Sequence, residues 1–118
     1  MFADIRTPMV VIHLDTSDRR IWGGALRTVA NLLAESPDAK VEVVLQGPAV
    51  DMGRAHASPL AAQLGLLAAR GVTFVACSNS LRARGIAESE LLDRVGVVPS
   101  AIGELIRAQQ SGMAYLKI

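Results

Sequence analysis

The groups in this chain with chemical reach are few, and they recur where apolar runs end. The one cysteine, Cys77, closes the run Val72–Cys77 and is followed at once by Ser78 and Asn79. A thiol at a strand end, just ahead of a helix start, meets the positive end of the helix dipole and free backbone N–H groups, both of which favour a thiolate. Arg82 and Arg84 follow within two turns and add positive potential. The competing reading is that a lone cysteine is a small buried hydrophobe. His13 interrupts the apolar run Met9–Leu14, two residues before Asp15. It is open to three roles: general base, donor to an oxygen, or core histidine bonded to backbone.

Other spacings are uninformative. One cysteine forms no internal disulfide, and with His13 and His56 it does not complete a four-ligand zinc site. No phosphate loop, dinucleotide fingerprint or nucleophile elbow is present, so no cofactor or metal is implied. Arg19-Arg20 reads as a solvated face.

These groups need elements to hold them. Met9–Leu14 is a continuous β-branched run, the pattern of a strand buried on both faces. Ser17 or Asp18 is the N-cap of a helix carrying Trp22, Ala25, Leu26, Val29, Leu32 and Leu33 at helical spacing. Pro37-Asp38 ends it, and 41–45 is a second strand leaving through Gln46-Gly47-Pro48. Residues 49–58 fit a helical turn or an irregular loop. Residues 59–70 read as a helix capped by Gly71, and 72–77 as a third strand. A short helix over 78–85 and a turn over 88–93 lead to a fourth strand, 95–98. A helix over 101–111, capped by Gly112, precedes a short strand over 115–117. Strand and helix alternate through five strands, which predicts one α/β domain over 1–118 with a mainly parallel sheet and right-handed crossovers.

In such sheets ligands bind beyond the carboxyl ends of the strands. That rule gathers His13 and Asp15, Gln46 and Gly47, Cys77, Ser78 and Asn79, and Ser100 on one edge. His13, Asp15, Gln46, Cys77, Asn79 and Ser100 are expected to approach one another there, near or across a subunit contact.

Composition sets bounds. Half of the 118 residues (51%) are apolar but only 3% aromatic, so the core is one of Ala, Val, Leu and Ile. A net charge of +1 speaks against nucleic acid or an anionic membrane as partner. The start shows no basic region leading into an apolar signal core, and no apolar run approaches a membrane span. A cytoplasmic, reducing compartment is the expectation.

The run Cys77-Ser78-Asn79-Ser80-Leu81-Arg82-Ala83-Arg84-Gly85-Ile86 resembles the cysteine segment of the DsrE/DsrF-like family. The likeness extends to Val11–Asp15, Ala30–Leu33, Val43–Val50, Val97–Leu105 and Gln109–Lys117, in order and over nearly the whole chain, and is strongest to the small stand-alone members. It implies a three-layer α/β/α sandwich with a five-stranded sheet, assembled as a homo-oligomer, often a trimer or hexamer. In sulfur-relay members the matching cysteine carries persulfide sulfur between donor and acceptor proteins. On that basis Cys77 is the sulfur acceptor, Asn79 and neighbouring N–H groups steady its anion, and His13 handles a proton. Enzyme activity is at most sulfurtransferase-like. Gln46 stands where many relatives place histidine before Gly-Pro, and it does not titrate. The alternative is a non-enzymatic oligomeric module that binds a small molecule with His13, Asp15, Gln46 and Asn79, Cys77 only lining the pocket.

Overall fold

The computed structural model describes residues 7–56 and 60–118. The strand β1 (Met9–Leu14) leads into α1 (Arg19–Glu35) and β2 (Lys40–Leu45). A 3₁₀ segment, Gly47–Gly53, precedes α2 (Ala61–Ala69) and β3 (Thr73–Cys77). Next come α3 (Ser78–Ala83), a 3₁₀ turn Glu88–Glu90, β4 (Val95–Val98), α4 (Ala101–Gln110) and β5 (Ala114–Lys117). The five strands lie in the order β4-β3-β2-β1-β5 and every pairing is parallel.

Side chains alternate across the pleat, which divides the core into two layers. Val10, Ile12, Leu14, Val43, Leu45, Phe74 and Ala76 face the side covered by α1 and α2. Val11, Val44, Val75 and Cys77 face the other side, where Ala101, Leu105 and Ala108 of α4 cover them. Both faces are thus buried, which is why β1 to β3 read as largely apolar runs, broken only by His13 in β1 and by Lys40, Glu42 and Thr73 in β2 and β3.

Local chemistry fixes the element starts. Asp18 is the N-cap of α1, its carboxylate accepting from Arg20 N–H at 2.9 Å. The helix buries Trp22, Ala25, Leu26, Val29 and Leu33, and the Trp22 indole N–H donates to the Thr16 carbonyl at 2.7 Å. Residues 49–53 resolve as 3₁₀ helix, while 57–59, including the expected helix start at Pro59, lie outside the described residues. The connection that sets the topology is β4–α4–β5, which crosses β3, β2 and β1 to place β5 on the far edge. α4 therefore runs beneath the same sheet face that carries Cys77.

Candidate functional site

Cys77 ends β3 and serves as the residue before the first turn of α3. Its sulfur faces α4 and accepts a hydrogen bond from the Ala101 N–H at 3.3 Å. That N–H belongs to the first turn of α4, where intrahelical partners are missing, and the turn is set by Ser100, whose hydroxyl accepts from Gly103 N–H at 3.0 Å. The backbone N–H groups of Asn79 and Ser80 and the Ser80 hydroxyl also bond the sulfur. Burial pushes the thiol pKa up, since only 3% of the residue is exposed, but the four donors outweigh it and the net direction is down. The thiolate is stabilised by two helix starts meeting on one atom.

Arginine has no part in that shift. Arg82 turns back along α3, its guanidinium donating to Ser78 Oγ at 3.0 Å and to Asn79 Oδ1. Arg84 pairs with Asp51 at 3.0 Å. Each guanidinium thus has an oxygen acceptor of its own, so the expectation that both would favour the thiolate is corrected: the Ser80 hydroxyl and the backbone donors do that. Asn79 likewise reaches the sulfur through its N–H, not its side chain.

Ser80 links Cys77 to the second strand. The left-handed φ of +55° at Gly47 turns the chain as it leaves β2, and the Gly47 N–H donates to Ser80 Oγ at 2.8 Å. With its oxygen accepting there, the hydroxyl proton is free to face the sulfur. Ser80 was not among the residues singled out from sequence. Its signal was the Cys-x-x-Ser spacing, which puts a hydroxyl over the first turn of a helix that starts at Ser78.

His13 lies on the same sheet face two strands away. Gln46 Oε1 only accepts, so His13 Nε2 carries the proton that bonds it at 2.7 Å, and Nδ1 accepts from the Tyr115 hydroxyl at 2.7 Å. Both ring nitrogens are thereby engaged, and neither bonds Cys77. Tyr115 also escaped the sequence reading, because its place opposite Val11 depends on β5 pairing with β1. Asp15 completes this end: Lys117 Nζ donates to its carboxylate at 2.7 Å, and that bond, against some desolvation, holds the carboxyl below its ordinary range.

The strand ends thus hold two adjoining groups. One joins Cys77, Ser80, Gly47 and the start of α4; the other joins His13, Gln46, Tyr115, Asp15 and Lys117. Beside Cys77, a cleft of about 530 Å³ opens between α3 and the β4–α4 turn, lined by Ser78, Asn79, Arg82, Glu88, Val98 and Pro99. Among the described residues, no three His, Cys, Asp or Glu side chains gather as a metal site. No helix among them is long and apolar enough to cross a membrane.

An all-parallel five-stranded sheet with helices on both faces makes the protein an α/β sandwich, with Cys77 at the carboxyl edge of the sheet. The DsrE/DsrF-like family profile matches residues 9–118, and the chain belongs to that family. It is similar to the protein of unknown function MTH1491 from Methanobacterium thermoautotrophicum, with 35% identity and a TM-score of 0.89, over 94% of this chain and 99% of that one. The ychN protein from E. coli shares the fold at 20% identity and a TM-score of 0.80, covering 96% and 100% of the two chains. So does BT1422 from Bacteroides thetaiotaomicron, at 17% identity and a TM-score of 0.75, covering 92% and 93%. No curated relative matches the chain.

Proposed function

We propose that the protein is a sulfur-relay carrier that holds persulfide sulfur on Cys77. The observation that carries this reading is the convergence of N–H donors from α3 and α4, with the Ser80 hydroxyl, on one sulfur whose pKa is drawn down. Such a thiolate is the nucleophile that thiol–persulfide exchange requires. It attacks the outer sulfur of a donor persulfide; a new S–S bond forms on Cys77, the donor's S–S bond breaks, and its electron pair leaves on the donor thiolate. An acceptor thiolate then takes the outer sulfur in the same way and returns Cys77 to the thiolate. No net oxidant is consumed.

In the cleft next to the start of α3, Ser78, Asn79 and Arg82 offer polar contacts for a donor or acceptor protein. A free thiol suits a reducing, cytoplasmic setting. Self-association to a trimer or hexamer accompanies this reading, supported by Ile102, Ile106, Tyr115 and Leu116, which leave large apolar side chains exposed on α4 and β5.

Intact mass spectrometry after exposure to glutathione persulfide tests the reading. A gain of one sulfur atom, absent in Cys77→Ser and removed by an added thiol acceptor, supports it. No uptake by the native protein, with Cys77 still reduced, overturns it in favour of a binding module.

A further inference from the structure

The sheet face opposite Cys77 carries α1 and α2, and the sulfur chemistry makes no use of the groove between them. Eight of the nine residues of α2 are Ala, Leu or Gly, the exception being Gln63. Such a composition, apolar on every side, belongs to a helix with neighbours all round. Yet only Leu64 and Leu67 are buried, and Leu66 is 69% exposed. Alongside, a groove of about 520 Å³ has Leu26, Ala30 and Leu67 in its wall, with Arg27 and Arg70 at its borders. No Asp or Glu lines it. Among the described residues neither guanidinium has a carboxylate partner.

Charge decides what fits. Two copies meeting groove to groove would bring four unpaired guanidiniums together. The exposed isoleucines of α4 from a second copy would arrive with Glu104, whose carboxylate is already taken by Arg107 at 3.1 Å. Neither arrangement supplies a free carboxylate. The groove is also partly open to solvent, which suits a helix laid between two helices better than a small ligand needing enclosure.

We propose that the α1–α2 groove docks a helix of a different protein, one presenting an apolar anchor flanked by carboxylates. The anchor sits on Leu66 and Leu67, and the carboxylates meet Arg27 and Arg70. This assignment stands apart from the sulfur chemistry, since the groove and Cys77 lie on opposite faces of the sheet.

The test is amide chemical-shift mapping on the full chain. The probes are a synthetic helical peptide with leucines one turn apart flanked by glutamates, the same peptide with lysines for glutamates, and phosphatidylglycerol vesicles. The glutamate peptide is expected to shift residues 26–30 and 63–70. The double variant Arg27→Gln, Arg70→Gln should weaken it roughly fivefold, in keeping with two exposed charge contacts. Leu66→Glu, at an exposed position that folding does not need, should abolish it while leaving sulfur uptake by Cys77 unchanged. Equal binding of the lysine peptide, or no shifts in the groove, would overturn the proposal. So would vesicle binding through these residues, or dissociation of a homo-oligomer by Leu66→Glu.

Discussion

Replacing Ser80 with alanine removes one hydroxyl and tests the whole account of the thiol. That hydroxyl donates to Cys77 Sγ and accepts from the Gly47 N–H. A hydrogen bond to a charged group is worth about 1.5–3 kcal/mol. At about 1.4 kcal/mol per pKa unit, its loss should raise the Cys77 pKa by roughly one to two units. The three backbone donors remain, so reactivity should persist at higher pH. Gly47 loses its acceptor as well, which should lower stability by about 1–3 kcal/mol if no water replaces it. The sign of the linkage follows from the direction of the shift. A thiol with a depressed native pKa contributes stability that is complete above the unfolded value of about 8.5 and fades as pH falls through the native value. In Ser80→Ala that gain with rising pH should shrink. The assay is the pH profile of iodoacetamide alkylation, beside the ultraviolet absorbance of the thiolate and a thermal melt at each pH. Ser80→Thr, which keeps the hydroxyl, should restore the midpoint. An unchanged midpoint in folded Ser80→Ala would refute the reasoning and leave the backbone N–H groups as the only stabilisers.

Further outcomes follow from the other contacts. Ser100→Ala removes the cap of α4 and should cost about 1 kcal/mol, read as a lower thermal midpoint; because the Ala101 N–H is then less firmly held, the alkylation midpoint should rise slightly. Glu42 faces Glu104 under α4, and burial followed by that neighbouring carboxylate pushes its pKa up to about 8. An acid with a raised native pKa stabilises the fold while protonated and withdraws that stability as pH climbs from 4.5 toward about 8. Glu42→Gln should flatten that part of the stability–pH curve in thermal melts, and an unaltered curve would count against the raised pKa of Glu42. Tyr115→Phe removes the partner of His13 Nδ1. It should change the His13 ring resonances in NMR while leaving Cys77 alkylation within about twofold, since the two groups are not bonded to each other.

Much of the scaffold was legible from local signals. The β-branched run at Met9–Leu14 and the short run at Val95–Val98 appear as strands with the same bounds, because each begins and ends on an apolar residue flanked by turn-forming ones. Asp18 was one of two candidate caps, and it is the one whose carboxylate reaches an N–H of the first turn. The carboxyl-edge rule placed His13 and Gln46 on one edge with Cys77, and the first two hydrogen-bond directly. What stayed hidden depends on contacts between distant parts of the chain. Tyr115 meets His13 only after β5 has crossed to β1, and Ala101 reaches Cys77 only because α4 passes under β3. Ser80 was readable in principle, but its value rests on Gly47 turning an N–H toward it. The arginines misled because sequence proximity shows available charge and says nothing of the nearer oxygen that claims it.

The β5 strand has a consequence for biosynthesis. His13 belongs to a strand made before the rest of this sheet, and its ring is held by Tyr115, 102 residues later. Lys117, equally distant from Asp15, holds the neighbouring carboxylate. While the chain is still emerging from the ribosome, β1, β2 and β3 are able to pair with α1 and α2 on one face. The opposite face lacks α4 at that stage, and Cys77 stands in the nascent sheet without the Ala101 N–H and with its sulfur uncovered. The thiol is thus most open to stray oxidation before residues 101–117 have docked. Docking of α4 covers the cysteine's face, and pairing of β5 with β1 brings Tyr115 to the histidine.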